Sequence, residues 1–207
     1  MGFMTAPVAA GDFNTFIKYD ARAGRWFTKP DGGGELYEVT DMTAIMDIEN
    51  IRTGWFEFAE GQAPNKVFDP SLAEAAPKPG EKAKRGFEVL MFSDKNIGGL
   101  REFSSTAGVV IDAMNKLYDD WKGGLAANPG KLPVVRCTSV SPIKSSKSTN
   151  FMPMLSIMAW ADRPAELVTP LAAAAPATRA APPAAAPATH APPPAAAPAT
   201  ADAEVVF

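Results

Sequence analysis

The spacing of apolar and polar residues along this chain predicts strands more often than helices. From Phe13 to Tyr19 the pattern alternates, with Phe13, Thr15, Ile17 and Tyr19 on one side. Asp20 to Gly24 reads as a turn, Arg25 to Lys29 as the returning strand of a hairpin, and Pro30 to Gly34 as a flexible tip. A run from Thr43 to Phe58 is rich in isoleucine and aromatics, and Gly54 within it marks a bulge or sharp bend. Lys66 to Phe68 reads as a short edge strand, residues 70–85 as a long loop, and Gly86 to Ser93 as a buried strand. One helix follows: Ser104 or Ser105 caps it, Val110, Met114, Leu117 and Trp121 form its apolar stripe, and Gly123-Gly124 stops it. Leu132 to Val140 and Phe151 to Trp160 are the last two strands, joined by a polar loop from Ser141 to Asn150.

Five or so strands with a single helix between the third and fourth predict a mainly β protein. The order is that of an OB-fold-like five-stranded Greek-key barrel, although other small barrels fit nearly as well. This body spans residues 1–164. From 165 to 200 the chain is Pro- and Ala-rich, and Ala-Ala-Ala-Pro-Ala-Thr recurs from Ala173, Ala184 and Ala195. Prolines break any helix the alanines favour, and the segment buries too little to offset its ordering entropy, so a disordered tether is expected. No apolar run is long enough to predict a membrane span, and the first residues lack a signal-peptide pattern, so a cytoplasmic protein is the expectation.

Charge and composition remove several classes of chemistry. The chain has 207 residues and a net charge of −3, too acidic to coat duplex DNA by bulk charge. Its one cysteine, Cys137, and one histidine, His190 in the tether, leave no disulfide framework, no Cys/His zinc site and no base for a nucleophile-His pair. No cofactor is expected. Asp47 and Glu49, read on one face of a strand, are the candidate Mg²⁺ ligands of a nuclease, although the solvated side of an ordinary strand carries such pairs far more often.

Binding a single strand asks instead for cations beside exposed rings. Alternation places Phe16 with Lys18, and Arg25 with Phe27 and Lys29, opposite Ile17 and Trp26. A face of rings and cations makes a poor core and a good stacking platform, whereas Trp26, Trp55 and Trp160 read as core. From Trp121 to Ala161 the chain carries Lys122, Lys131, Arg136, Lys144 and Lys147 and no acid. Lys82, Lys84 and Arg85 add to this charge, and together these stretches are expected to line one groove; scattered solvated lysines are the alternative. Beyond the tether, Asp202, Glu204, Val206 and Phe207 have the form of a docking peptide: acids and an aromatic, suited to an apolar pocket rimmed by Lys or Arg.

On its body, its tether and this acidic tip, the chain resembles the single-stranded DNA-binding proteins of bacteria and phages, and Lys84 to Asp94 looks more like the phage-encoded versions. The tip departs from the bacterial pattern in having two acids and Val206 where a proline is common. The resemblance implies coating of single-stranded DNA in replication or recombination, without catalysis, and recruitment of replication or recombination proteins by the tip. It leaves monomer or homo-oligomer open. A structural adaptor that binds another protein is the rival reading, a nuclease the remoter one.

Overall fold

Ten strands hydrogen-bond into one curled, open sheet in the computed structural model, which describes residues 15–57, 64–144 and 148–167. They are β1 (Phe16–Asp20), β2 (Arg25–Thr28), β3 (Tyr37–Val39), β4 (Thr43–Met46), β5 (Arg52–Glu57), β6 (Asn65–Phe68), β7 (Lys84–Ser93), β8 (Gly99–Ser105), β9 (Leu132–Lys144) and β10 (Thr149–Ala161). The helices are α1 (Asp94–Ile97) and α2 (Gly108–Gly124). The mainly β expectation holds, but the ladder has twice the expected five strands, and the long helix falls between the eighth and ninth of them.

The sheet order is β10-β9-β4-β7-β8-β1-β2-β3, and β5 pairs with both β6 and β7. Since β8 runs along one edge of β7, β4 and β5 share the other, β4 at Met91–Phe92 and β5 at Lys84–Glu88. All partners are antiparallel except β1 and β8. The sheet curls into a half-barrel: the Phe151 N–H donates to the Ala21 carbonyl at 2.7 Å, although β10 and β1 lie five places apart along the sheet. The Tyr19 hydroxyl donates to the Phe151 carbonyl at 3.0 Å, and burial pushes that phenol up to about 12, so it remains a donor at neutral pH.

The concave face holds the main core. Ile17, Tyr19, Trp26, Met46, Phe87, Val89, Met91 and Phe103 pack against the Val110, Met114, Leu117 and Trp121 stripe of α2, as the helical spacing predicts. The helix starts later than its sequence suggests. Ser104 and Ser105 belong to β8, the N-cap is Ala107, and the Ser105 hydroxyl instead accepts from the Ala107 N–H. The Thr43–Phe58 run is not one strand: a 3-10 turn at Ile48–Asn50 separates β4 from β5. Gly54 marks close backbone approach, since a Cβ there would collide with the Val67 carbonyl of β6.

A smaller cluster lies on the convex face, where Ile45, Leu90, Phe92, Leu100 and Leu132 surround Leu167. Leu167 ends a 3-10 turn, Ala165–Leu167, and is 1% exposed, so the body continues past the expected boundary at 164. The remainder of the expected linker, from 168, and the tip at 201–207 lie outside the described residues.

Two expectations follow. Leu167→Ala lowers unfolding stability by about 2–4 kcal/mol, the usual cost of emptying a buried leucine site, as chemical denaturation will measure. Separately, the Arg85 guanidinium, with hydrogen bonds from Thr53 and the Ala76 N–H, holds the Asp69 carboxyl down to about 2 against the opposing effect of burial. A depressed carboxylate contributes stability above its unfolded value, so this part is complete above about pH 5 and lost as pH falls toward 2. Asp69→Asn therefore costs about 2 kcal/mol at neutral pH and flattens the acid limb of a stability–pH curve.

Candidate nucleic-acid interface

The β1–β2 hairpin delivers the ring-and-cation face that alternation predicts. Ile17, Tyr19, Trp26 and Thr28 point into the core, leaving Phe16, Lys18, Arg25 and Phe27 on the convex side. Phe16 is 36% exposed. Lys18 and Phe27 are direct partners across the hairpin, with the Lys18 ammonium 5.8 Å from the Phe27 ring centroid. Arg25 pairs with the exposed Glu38 of β3, at 3.1 Å, an ion pair of little energy in water. Lys29, half-buried, follows at the end of β2.

The same face continues onto β8, β7 and the β5–β6 hairpin through residues the sequence reading passed over. Phe16 sits opposite Glu102, and Leu90 of β7 opposite Glu102 again. The Lys66 ammonium donates to both Glu88 and Glu102, and Arg52 donates to Glu88 at 2.5 Å. Burial, then the neighbouring Glu88 charge, raises the Glu102 carboxyl above its ordinary range. The Arg52 guanidinium lies 3.7 Å from the Phe68 ring centroid, and Phe68 meets Phe56 edge-on at 5.9 Å. The alternation of Lys66 and Phe68 along an edge strand was a visible signal for this end of the face; their acidic partners, far away in sequence, were not.

The remaining cations do not line one groove with these. Lys84 is exposed on β7 opposite Phe56, and Lys82 is exposed in the loop before it. Arg85 points the other way: it forks onto Asp69 at 2.8 and 2.5 Å and lies 5.2 Å from the Trp55 ring centroid. Trp55 is accordingly a partly exposed lid, its Nε1–H donating to the Ala76 carbonyl at 2.7 Å, and not a core residue. Arg136 is exposed on β9 beside Asp41 at 3.3 Å, and the Leu167 cluster covers the convex surface between it and β1. Lys144 stands exposed at the end of β9, in the tip of the β9–β10 ribbon, where the two strands run on into the expected Ser141–Asn150 loop. Lys147 lies outside the described residues, as do Asp202, Glu204, Val206 and Phe207. Among the described residues, Lys18, Lys29, Lys82, Lys84 and Lys144 make no ion pair.

A groove of about 350 Å³ links the hairpin to that ribbon. It runs along the open seam between β2–β3 and β9, with Arg25, Glu38, Thr138 and Val140 on its walls and Trp26 and Cys137 among its lining residues. Burial pushes the Cys137 thiol up, away from thiolate chemistry.

The candidate magnesium ligands have another partner. Asp47 precedes the 3-10 turn that contains Glu49, so the two do not share a strand. The Arg163 guanidinium bridges them, 2.9 Å from each carboxylate, and Asn50 donates to both Asp47 oxygens. Among the described residues no three His, Cys, Asp or Glu side chains gather as a metal site. No described helix is long and apolar enough to cross a membrane.

Compared with known proteins, the chain matches no family model, no curated protein and no solved structure.

Proposed function

We propose that this protein binds single-stranded DNA without reading its sequence, coats and protects it in replication or recombination, and recruits partner proteins through the tip at Asp202, Glu204, Val206 and Phe207. The observation that carries the reading is the convex face of the first hairpin, where partly exposed Phe16 and Phe27 sit beside Lys18 and Arg25. Bases stack on such rings irrespective of sequence, while the cations meet phosphates. The seam groove offers the strand a course from Arg25 toward the β9–β10 ribbon and Lys144.

The strand order supports an OB-type core within the larger sheet. The succession β4/β5, β7, β8, helix, β9, β10, with β9 returning to pair with β4, follows a five-stranded Greek-key barrel with its helix after the third strand. The first hairpin is then an addition, seated beside β8. The rival reading, an adaptor that holds another protein, draws on exposed Val140 and Ile143 near the tip of the ribbon.

A fluorescence titration with oligo-dT against duplex of equal length separates these readings. Preference for the single strand, with affinity falling steeply as salt rises, is expected; equal affinity for both forms rejects the proposal. Phe16→Ala weakens oligo-dT binding by about tenfold, in the range for one stacked base, and leaves the melting temperature nearly unchanged. Lys18→Ala flattens the slope of log K against log salt by about 0.7, the loss of one phosphate contact. Removal of Asp202 to Phe207 leaves oligo-dT affinity unchanged or raised and abolishes partner binding in pull-downs; a large loss of DNA affinity overturns the docking role.

A further inference from the structure

Around three acids the carboxylate is the buried member and the cation reaches in from the edge: Glu88 with Lys66 and Arg52, Asp69 with Arg85, and Asp47 with Arg163. Arg101 of β8 inverts this arrangement. Its guanidinium is 2% exposed while its partner, Asp31 at 2.8 Å, is 71% exposed. Among the described residues Asp31 is the one carboxylate paired with it.

The surroundings of Arg101 are built to hold a guanidinium. Its Nε donates to the Thr28 hydroxyl at 3.1 Å and its Nη1 to the Leu100 carbonyl at 2.8 Å. Gly98 lies against Nη2: a Cβ there would come within 2.8 Å of Nη2 and 3.2 Å of the Tyr37 hydroxyl, and its φ of 75° suits glycine. The Tyr37 hydroxyl thus stands at the rim as a further donor. Asp31 is less firmly placed. It sits on the exposed Pro30–Gly34 loop, where Gly32, Gly33 and Gly34 all have positive φ, and its other hydrogen bond is from the Thr15 hydroxyl at 3.1 Å.

We propose that Arg101 is a seat for a phosphate group, and that Asp31 is the anion which fills it when no phosphate is present. A buried guanidinium requires an anion, but the one it has comes from outside on a glycine-rich loop, and a phosphate presents oxygens of the same geometry. The seat lies at the same end of the hairpin as Phe16 but on the other face of the sheet, since Arg101 and Thr28 point inward where Phe16 and Glu102 point outward. Thr15 precedes Phe16, and the Thr28 hydroxyl that accepts from Arg101 donates to the Phe16 carbonyl at 2.7 Å. A strand that stacks a base on Phe16 and continues over this end of the hairpin carries a phosphodiester to the seat. The strand as source of the phosphate rests on the single-strand-binding reading; the seat itself does not.

The test uses the full chain, Asp31→Asn, inorganic phosphate and oligo-dT. Thermal melts at matched ionic strength, in phosphate and in chloride, are expected to show Asp31→Asn stabilised by phosphate by several degrees, with the parent protein little affected. In oligo-dT titrations the variant is expected to bind about tenfold more tightly, with a salt slope steeper by about 0.7, one added phosphate contact. If Asp31→Asn fails to fold, Thr15→Val loosens Asp31 without removing its charge and is expected to tighten oligo-dT binding two- to threefold. Phosphate stabilisation without oligonucleotide binding by either protein establishes the seat and rejects the coating function. A variant that melts equally in phosphate and chloride, with oligo-dT affinity and salt slope unchanged, makes Arg101–Asp31 a structural ion pair and overturns the proposal, whatever the parent binds.

Discussion

The burial of Glu88 constrains the convex half of the molecule. Strand β7 is covered on both faces, and its central carboxylate has no route to water, so it requires cations at hydrogen-bond distance. Arg52 and Lys66 supply them, which ties the β5–β6 hairpin across β7, and Lys66 extends the tie to Glu102 on β8. Removing one partner from such a cluster leaves an uncompensated buried charge, typically a loss of about 3–5 kcal/mol.

That same neutralisation determines where free positive charge remains. Over the middle of β7 and β8, Arg52 and Lys66 are spent on Glu88 and Glu102, which leaves Lys84 at the end of β7 unpaired among the described residues, and the Leu167 cluster closes the surface toward β4 and β9. The first hairpin has no comparable internal demand. Its inward positions are filled by Ile17, Tyr19, Trp26 and Thr28, so Phe16, Lys18 and Phe27 face outward with no buried acid to satisfy. The proposed site is thus the part of the convex face where rings and cations were left unconsumed.

How much of this was legible varies with the range of the interactions. The hairpin face follows from period-two alternation, a local property, and was readable residue by residue. The α2 stripe was readable for the same reason, at period 3.6. Strand β8, in contrast, carries Arg101, Glu102, Ser104 and Ser105 among its residues, a polar string whose strand character comes from β7 and β1 on either side. The β9–β10 ribbon reaches through Ser141, Pro142 and Thr149 because the two strands satisfy each other's backbone groups, a gain no single segment displays.

By itself the sequence determined the mainly β character, the position of the long helix's apolar stripe and the outward set on the first hairpin, all consequences of side-chain order along one segment. Tertiary structure alone decided which charges remain available. Arg85 and Asp69 are separated by 16 residues, Arg52 and Glu88 by 36, and Glu49 and Arg163 by 114. Whether a cation is spent on a buried acid or left facing solvent depends on which strands become neighbours, and an isolated segment carries no record of its neighbours.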